Sequence, residues 1–477
     1  MKTQLTLCIS GTLTLIGMSG CEKTPERPMN VVYILADDLG YGDVGCYGQQ
    51  IIKTPNIDRM AKEGMLFTQH YAGCTVSAPS RCSLMTGLHT GHTQVRGNRE
   101  ITPEGQQPMR EDTYTLGKLM KSAGYTTGIF GKWGLGNPGS VSIPNKMGFD
   151  EFYGYNCQRQ SHSFYPDHLW HNEEKVLFPE NENNACKTYS QDLIHEQALK
   201  FIRDHKEQPF FAMLTYTLPH AELNLPHDSI YKMYENSFEE TPYIGKFDKV
   251  YGGYNTSEKP LASFAAMVSR LDKYVGDVMA ELKELGLDKN TIVIFTSDNG
   301  PWLTEHENGG SAGPLKDGKG TWWEGGFRVP AICWMPGKIN PAINDEIMTS
   351  MDLYPTFLSM AGIEQPKDLV LDGVNQTGLL FEEKHSARDE VYYWWGSELM
   401  AIRKGEWKYY FKTIKDQYLR TCKIETPAEP LLYNVETDIS ERFNQADKHP
   451  EIVKLLIEAG EKHKKGMKIK PSVCDMM

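Results

Sequence analysis

The residues best suited to chemistry begin at Ser77, in the stretch SAPSRCSLMTG of residues 77–87. Small residues and a proline come first, helix-compatible residues follow, and Gly87 is a stop signal. This pattern predicts a helix that begins at or just after Ser77. Free backbone N–H groups at a helix N-terminus favour an anion. Ser77 is therefore a candidate nucleophile beside an anion site, and the competing interpretation is an ordinary capping serine.

Further candidate groups follow apolar runs that are typical of buried strands. Asp37 and Asp38 follow residues 30–35, Lys132 follows residues 126–130, His220 follows residues 209–216, and Asp298 and Asn299 follow residues 290–296. Because ligands of parallel sheets bind outside the carboxyl ends of the strands, these side chains are expected to face one crevice. A solvated acidic turn would explain Asp37 and Asp38 alone. The agreement of four strand ends favours a site, with a cation held between the carboxylates.

A glycine-rich loop, NGGSAGPLKDGKG, covers residues 308–320. Its glycines allow close backbone approach, and Lys316 and Lys319 add positive charge. A flexible solvated loop has the same composition. Next to the anion site predicted at Ser77, the loop is interpreted as a second source of cationic side chains.

The elements that position these groups alternate between strands and helices, the latter predicted over residues 113–123, 190–205 and 262–285. Such alternation predicts an α/β domain with a mostly parallel central sheet flanked by helices. After about residue 387, short aromatic-rich runs predict antiparallel strands, and a helix is predicted over residues 451–465. We therefore expect a catalytic domain over residues 29–386 and a smaller α+β C-terminal subdomain over residues 387–477.

The N-terminus carries a targeting pattern, with Lys2 before an apolar run over residues 5–18 that is too short to span a membrane. Its end, MSGC, resembles a bacterial lipobox. This predicts a lipoprotein signal peptide over residues 1–20, lipidation of Cys21 and a tether over residues 21–28. An ordinary signal peptide with an incidental cysteine is the alternative. The expected protein is exported, periplasmic or at the cell surface of a bacterium, and touches the membrane only through its lipid anchor.

Composition excludes some functions and leaves others open. The chain has 477 residues, enough for a large domain and a smaller one, and a formal net charge of −12, which argues against a nucleic-acid partner. It has 10 cysteines, but no Cys-x-x-Cys or Cys/His spacing indicates zinc. Export permits disulfides, whose pairing the spacing does not define.

Together these motifs resemble those of the formylglycine-dependent (type I) sulfatases of the alkaline phosphatase superfamily, and among them the serine-type bacterial carbohydrate sulfatases. The family signature is Cys or Ser, x, Pro, Ser, Arg, then Thr-Gly, and residues 77–87 match it. The segments ADDLG (36–40), GKW (131–133), SDNG (297–300) and GKG (318–320) follow in the family's order. Cys82 lies outside the modified position.

The resemblance implies an alkaline-phosphatase-like fold and a sulfatase mechanism. Ser77 would be oxidised to formylglycine by an anaerobic-type sulfatase-maturating enzyme, and the hydrated aldehyde would supply the attacking oxygen. A sulfated geminal diol can then expel sulfate, whereas a sulfated serine needs a second difficult hydrolysis. The implied ligands of one Ca²⁺ are Asp37, Asp38, Asp298 and Asn299. The implied catalytic side chains are Arg81, Lys132, Lys319 and His220, the last as general acid.

One departure stands out, because many family members have histidine where this chain has Gly134. His162, in a polar and aromatic stretch over residues 158–165, is the candidate replacement. The GKWG variant together with YNCQRQ (155–160) resembles the branch that acts on galactose or N-acetylgalactosamine 4-O-sulfate. The predicted substrate-binding residues are Lys316, His92, Arg96 and Asn98. For the last three, which lie in residues 90–98, a solvated loop is the alternative interpretation.

Other functions remain open at this point. They are a sulfatase for 6-O- or 3-O-sulfates, a phosphatase or phosphonate hydrolase of the same superfamily, and an inactive glycan-binding lipoprotein. If the protein is a sulfatase, its expected partner is a sulfated glycan or sulfated monosaccharide.

Overall fold

The computed structural model describes residues 27–245, 254–303, 308–415 and 423–467. The strands are β1 (Asn30–Ala36), β2 (Met65–Phe67), β3 (His70–Tyr71), β4 (Thr126–Lys132), β5 (Glu151–Tyr155), β6 (His168–His171), β7 (Glu174–Leu177), β8 (Phe210–Thr215), β9 (Thr291–Ser297), β10 (Ala331–Trp334), β11 (Ala342–Asn344), β12 (Met348–Thr349), β13 (Glu390–Trp395), β14 (Glu398–Lys404), β15 (Trp407–Tyr410), β16 (Thr413–Lys415), β17 (Lys423–Glu425) and β18 (Leu431–Asn434). The helices are α1 (Pro55–Glu63), α2 (Ser77–Thr86), α3 (Leu116–Ser122), α4 (Gln158–Ser161), α5 (Ser190–Asp204), α6 (Ser229–Lys232), α7 (Pro260–Glu284), α8 (Glu324–Phe327), α9 (Leu353–Met360), α10 (Thr377–Phe381) and α11 (Pro450–Gly466).

The central sheet has ten strands in the order β11-β2-β10-β9-β1-β8-β4-β5-β6-β7. Strands β9, β1, β8, β4 and β5 are parallel neighbours, whereas β10, β6 and β7 run antiparallel to their partners β9, β5 and β6. All seven residues of β1 are buried, as expected for a central strand covered on both faces. The mostly parallel sheet predicted from the sequence is confirmed.

Helices cover both faces of this sheet and form two apolar cores. One core joins β1, β8 and β9 to α1, α5 and α7, and the other joins them to α2, α3 and α9. The helix predicted over residues 113–123 begins at Leu116, because the Thr115 hydroxyl accepts the Lys118 N–H at 3.3 Å and caps it.

The C-terminal residues form a separate antiparallel sheet in the order β13-β14-β15-β18, and α11 packs against β14 and β15. The predicted small α+β subdomain is therefore confirmed. No helix in the described part of the chain is long and apolar enough to cross a membrane. The described cysteines are free thiols: Cys46, Cys74, Cys82, Cys157, Cys186 and Cys333. Cys21 and the predicted signal peptide lie outside the described residues.

Candidate active site

The carboxyl ends of four adjacent parallel strands, in the order β9, β1, β8 and β4, meet at one edge of the sheet. Backbone hydrogen bonds join three of these ends. The Asp37 N–H, after β1, donates to the Leu218 carbonyl, after β8, at 3.0 Å, and the Asp298 N–H, after β9, donates to the Ala36 carbonyl of β1 at 3.1 Å. The structure therefore brings the groups predicted after all four strands to one crevice.

Ser77 is the first residue of α2 and is only 1% exposed. Its hydroxyl donates to Asp37 Oδ1 at 3.1 Å, and Lys132 Nζ lies 3.4 Å from the same hydroxyl. Lys132 Nζ also donates to Asp37 Oδ2 at 2.7 Å. The Ser77 hydroxyl, the Lys132 ammonium and the Asp37 carboxylate are thus in mutual contact in a buried position. This is the arrangement expected around a nucleophile.

Two further carboxylates face cationic side chains. Asp38 Oδ2 accepts a hydrogen bond from Lys319 Nζ at 2.7 Å. Asp298 Oδ2 accepts two from Arg81, from Nε at 3.2 Å and from Nη2 at 2.9 Å. With Asp37 and Lys132, three carboxylates meet three cations, so the cluster is close to electrically neutral.

The donor set fits a calcium ion. Asn299 Oδ1 is buried without a hydrogen-bond donor, and a cation would satisfy such an orphaned oxygen. Ligand atoms of Asp37, Asp38 and His220 lie within 4.8 Å of one another. Carboxylate and amide oxygens are hard ligands that suit Ca²⁺. A divalent ion would turn a nearly neutral cluster into one of charge about +2, complementary to an anionic ester.

Burial and charge act in opposite directions on the pKa values of the carboxyls. Burial raises the pKa of Asp37, but the nearby charges of Lys132, His220 and Arg81 outweigh it and hold that pKa well below its usual range. Burial and the charge of Asp37 raise the pKa of Asp298 to about 6. Asp37 is therefore the carboxyl that the pocket keeps most firmly ionised.

His162 and His220 form a stacked pair, with ring centroids 4.7 Å apart and planes at 12°. His220 Nε2 lies 3.4 Å from Asp38 Oδ2, while its Nδ1 is buried without a hydrogen-bond partner. Burial and the charge of Lys319 lower the pKa of His220 well below its usual value, and burial does the same for the pKa of His162. These surroundings favour the neutral form of both imidazoles, and an anion beside them would favour the charged form.

Two aromatic residues that the sequence analysis did not single out line the same crevice. Lys319 Nζ lies 4.8 Å from the centre of the Trp302 ring, and the Trp302 and His220 ring centroids are 5.6 Å apart. The Tyr254 ring centroid lies 5.4 Å from that of His162. Trp302 lies two positions after the SDNG segment. Its closeness in sequence to Asp298 and Asn299 is the feature from which its place in the site could have been predicted.

Gly134 has a positive φ of 73°, and a Cβ atom added there would lie 3.4 Å from Gln158 Cγ and Nε2. Gln158 therefore fills much of the space beside this glycine. Its Nε2 donates to Asn98 Oδ1 at 3.3 Å, and the same oxygen accepts the Ala78 N–H at 2.9 Å. Asn98 is thus at the site, where it satisfies a free N–H group of α2 next to Ser77.

Three predicted substrate-binding residues have other contacts. His92 Nδ1 lies 2.8 Å from a carboxylate oxygen of Asp372. Arg96 Nε donates to the Thr93 carbonyl at 3.0 Å. Lys316 Nζ lies 3.4 Å from the centre of the Trp323 ring and donates to the Glu441 carbonyl of the C-terminal subdomain at 3.3 Å. None of these contacts is with the cluster around Ser77, and the role of the three side chains in substrate binding stays a prediction.

The fold and the site together define a hydrolase of the alkaline phosphatase superfamily. A family model described as Sulfatase matches residues 29–363, and one described as the C-terminal region of aryl-sulfatase matches residues 386–477. The chain belongs to the sulfatase family and is a sulfuric ester hydrolase, which confirms the resemblance seen in the sequence.

Individual proteins agree with this assignment. The N-acetylgalactosamine-6-sulfatase of Canis lupus familiaris is 34% identical over 420 residues, which cover 83% of this chain and 73% of that protein. The structure of the PsFucS1 sulfatase from Pseudoalteromonas sp. matches with a TM-score of 0.77 at 25% identity, and the match covers 94% of this chain and 92% of that chain. Ps i-CgsB in complex with k-i-k-neocarrahexaose has a TM-score of 0.75 at 28% identity, with 92% and 93% covered.

Replacing His162 by alanine is expected to lower kcat for a sulfated sugar by about 10²-fold, the usual size of a lost acid–base contribution. His168→Ala is the matched control. His168 is also a histidine of low exposure, but its ring nitrogens lie 2.8 Å from Asp167 Oδ1 and 3.1 Å from Glu104 Oε2, away from His220. Equal and small losses in steady-state assays of the two variants would remove His162 from the mechanism.

Proposed function

We propose that this protein hydrolyses sulfate esters on carbohydrates with a formylglycine derived from Ser77 and one bound Ca²⁺. The observation that carries the proposal is the contact of the Ser77 hydroxyl with Asp37 and Lys132 in a buried pocket. Lys319 and His220 lie in the same pocket, where they are available to an anion. Sulfatase family membership supports the use of both the modified residue and the metal.

Each side chain of the pocket has a separate task in this proposal. Lys132 holds Asp37 ionised and donates toward the oxygen at position 77. Lys319 binds a sulfate oxygen, and the nearby Trp302 ring limits its access to water. His220 delivers a proton to the sugar oxygen that leaves, and His162 supports it through the stacked contact.

Asp37, Asp38, Asp298 and Asn299 would hold the calcium ion, which when bound polarises the sulfate group and favours ionisation of the nucleophile. Arg81 contributes to the same region through its two hydrogen bonds to Asp298 and through a third, from Nη1 to the Lys132 carbonyl at 2.9 Å. It thereby fixes the ends of β9 and β4 relative to α2.

The proposed substrate is galactose or N-acetylgalactosamine carrying a 4-O-sulfate, on the strength of the GKWG and YNCQRQ segments. A 6-O-sulfate is the second candidate, because several relatives are named N-acetylgalactosamine-6-sulfatase. Gln158, which comes from the YNCQRQ segment and lies beside Gly134, supports a pocket that differs from that of the histidine-containing members.

Sulfate release from a panel of position-defined sulfated monosaccharides tests the substrate. The enzyme should be produced with its maturase, and residue 77 should be checked by mass spectrometry. We expect release from the 4-O-sulfates of galactose and N-acetylgalactosamine, at least 10²-fold faster in kcat/KM than from the 6-O- and 3-O-sulfates, because a missed contact near the reacting group costs several kcal/mol. Activity on 6-O-sulfates alone would contradict the 4-O assignment.

The same panel separates the other functions. Release of phosphate from the matching phosphate esters, without sulfate release, would indicate a phosphatase or phosphonate hydrolase. Ser77 that stays unmodified in the native host cells, together with binding of sulfated sugars and no sulfate release, would indicate a glycan-binding lipoprotein.

We further propose that the protein is an exported bacterial lipoprotein, anchored through Cys21, and that an anaerobic-type maturase modifies Ser77. The sequence MSGC at residues 18–21 supports the anchor, and serine rather than cysteine at the modified position supports this type of maturase. Labelling with a fatty-acid probe, compared with Cys21→Ala, tests the anchor.

A further inference from the structure

A buried cluster of charges lies where the C-terminal sheet meets the loop that carries Lys319. The side chains of Lys408, on β15, and Glu324, at the start of α8, are both fully buried, and Lys408 Nζ lies 2.8 Å from Glu324 Oε1. Lys408 Nζ also donates to the Trp322 carbonyl at 2.9 Å and lies 3.3 Å from Glu441 Oε1. A buried ammonium is tolerated only when its partners are fixed, so this cluster defines where residues 322–324 lie.

Other contacts hold the same segment from several sides. The Glu324 N–H donates to Glu441 Oε2 at 2.8 Å. The hydroxyls of Tyr71 and Tyr393 donate to the two oxygens of the Glu324 carboxylate, at 2.6 Å and 2.8 Å. Glu441, Tyr393 and Lys408 belong to the C-terminal subdomain, which therefore supplies most of the partners of Glu324.

The segment is joined to Lys319 by a short loop that closes on itself. The Gly325 N–H donates to the Lys316 carbonyl at 2.8 Å, and the Thr321 N–H donates to the Gly318 carbonyl at 3.2 Å. Next to Lys319, the Gly320 N–H donates to the Thr75 carbonyl at 3.0 Å, two residues before Ser77. Movement of residues 322–324 would therefore be passed to Lys319.

We propose that Lys408 is a positioning residue, by which the C-terminal subdomain holds the Lys319 loop against the sulfate pocket. The proposal rests on the proposed function, in which Lys319 binds a sulfate oxygen. Lys408 does not touch the reacting atoms and acts through residues 322–324. It gives the C-terminal subdomain a part in catalysis besides its part in stability.

A double-mutant cycle tests this role with fully matured, calcium-loaded enzyme. Lys408→Met is expected to lower kcat per folded molecule by roughly 10- to 100-fold, the range associated with about 1 Å of misplacement. In the Lys319→Met background the same change should have almost no further effect on kcat, because both variants remove one interaction. Inhibition by free sulfate should weaken in Lys408→Met and in Lys319→Met to the same extent.

Two further variants separate positioning from stability. Arg388→Gln breaks the ion pair of Arg388 with Asp352, which also joins the two subdomains but does not contact the Lys319 loop. It should lower the unfolding midpoint and leave kcat and KM per folded molecule unchanged. Tyr393→Phe removes one hydroxyl from Glu324, is a milder change should Lys408→Met not fold, and should give a smaller loss of kcat that also disappears in the Lys319→Met background.

Full additivity of Lys408→Met and Lys319→Met would overturn the positioning role. An equal loss of kcat in Arg388→Gln would overturn it as well, because the effect would then be one of general stability. A wild-type enzyme that releases no sulfate from any sugar would instead contradict the proposed function, so the two failures are distinguishable.

Discussion

Ser77→Ala is expected to abolish sulfate release, with a loss in kcat of about 10⁴-fold or more, as for other removed nucleophiles. The loss follows because alanine has no hydroxyl to oxidise, so no attacking oxygen forms between Asp37 and Lys132. The fold should survive, because alanine is compatible with the first turn of α2 and Asp37 and Lys132 keep their own 2.7 Å contact without the hydroxyl. Assays with a sulfated monosaccharide, together with thermal unfolding, measure both quantities.

Ser83→Ala is the matched control for this experiment. Ser83 lies on the same helix, is also buried, and its hydroxyl has no hydrogen-bond partner. Its replacement should leave kcat unchanged. Retention of full activity in Ser77→Ala would exclude a formylglycine at this position and would require a different nucleophile.

On the proposed mechanism, removal of the bound metal has the second large expected effect. Chelation of Ca²⁺ should lower kcat by about 10³-fold or more, since a lost Lewis acid costs several kcal/mol of transition-state stabilisation. Added Ca²⁺ should restore the activity. It should also raise the unfolding midpoint, because a ligand at 100 times its Kd stabilises the folded state by about 2.7 kcal/mol. Metal analysis of the purified protein gives the stoichiometry, expected to be one ion per chain.

The described residues contain two clusters of candidate metal ligands, Asp37 with Asp38 and His220, and Asp372 with His89 and His92. Asp298 lies beside the first cluster, where its Oδ1 accepts the Asp38 N–H at 3.2 Å. Asp298→Asn should weaken the stabilisation by Ca²⁺, whereas Asp372→Asn should not. Asp372 lies with His89 and His92 in the other cluster, where imidazole nitrogens make a poorer site for Ca²⁺. Loss of calcium binding in Asp372→Asn, with normal binding in Asp298→Asn, would place the ion at the wrong cluster for the proposed mechanism.

Much of the fold and the centre of the site could be predicted because the relevant signals are local. Apolar runs such as residues 30–35 and 290–296 define buried strands, and polar residues follow directly where each strand ends. The parallel arrangement of those strands then brings Asp37, Asp298 and their neighbours to one edge without any knowledge of side-chain packing. The helix at Ser77 is likewise defined by Pro79 and Gly87.

The rest of the site depends on contacts between distant segments. Lys316 and Lys319 are three residues apart in one glycine-rich loop, and only the path of the folded loop directs Lys319 to Asp38 and Lys316 to Trp323. The pair formed by Glu324 and Lys408 joins positions 84 residues apart. No local pattern distinguishes such buried charges from solvated ones, so their roles became visible only in the structure.

The burial of Ser77 has a consequence for the timing of biosynthesis. Every residue of α2 is buried, and the Ser77 hydroxyl is in contact with Asp37 and Lys132. An enzyme that oxidises this serine needs the surrounding backbone exposed, and the finished fold does not offer it. On the proposed mechanism, the oxidation of Ser77 must therefore come before folding is complete. A chain that folds first keeps an unmodified Ser77 and is inactive.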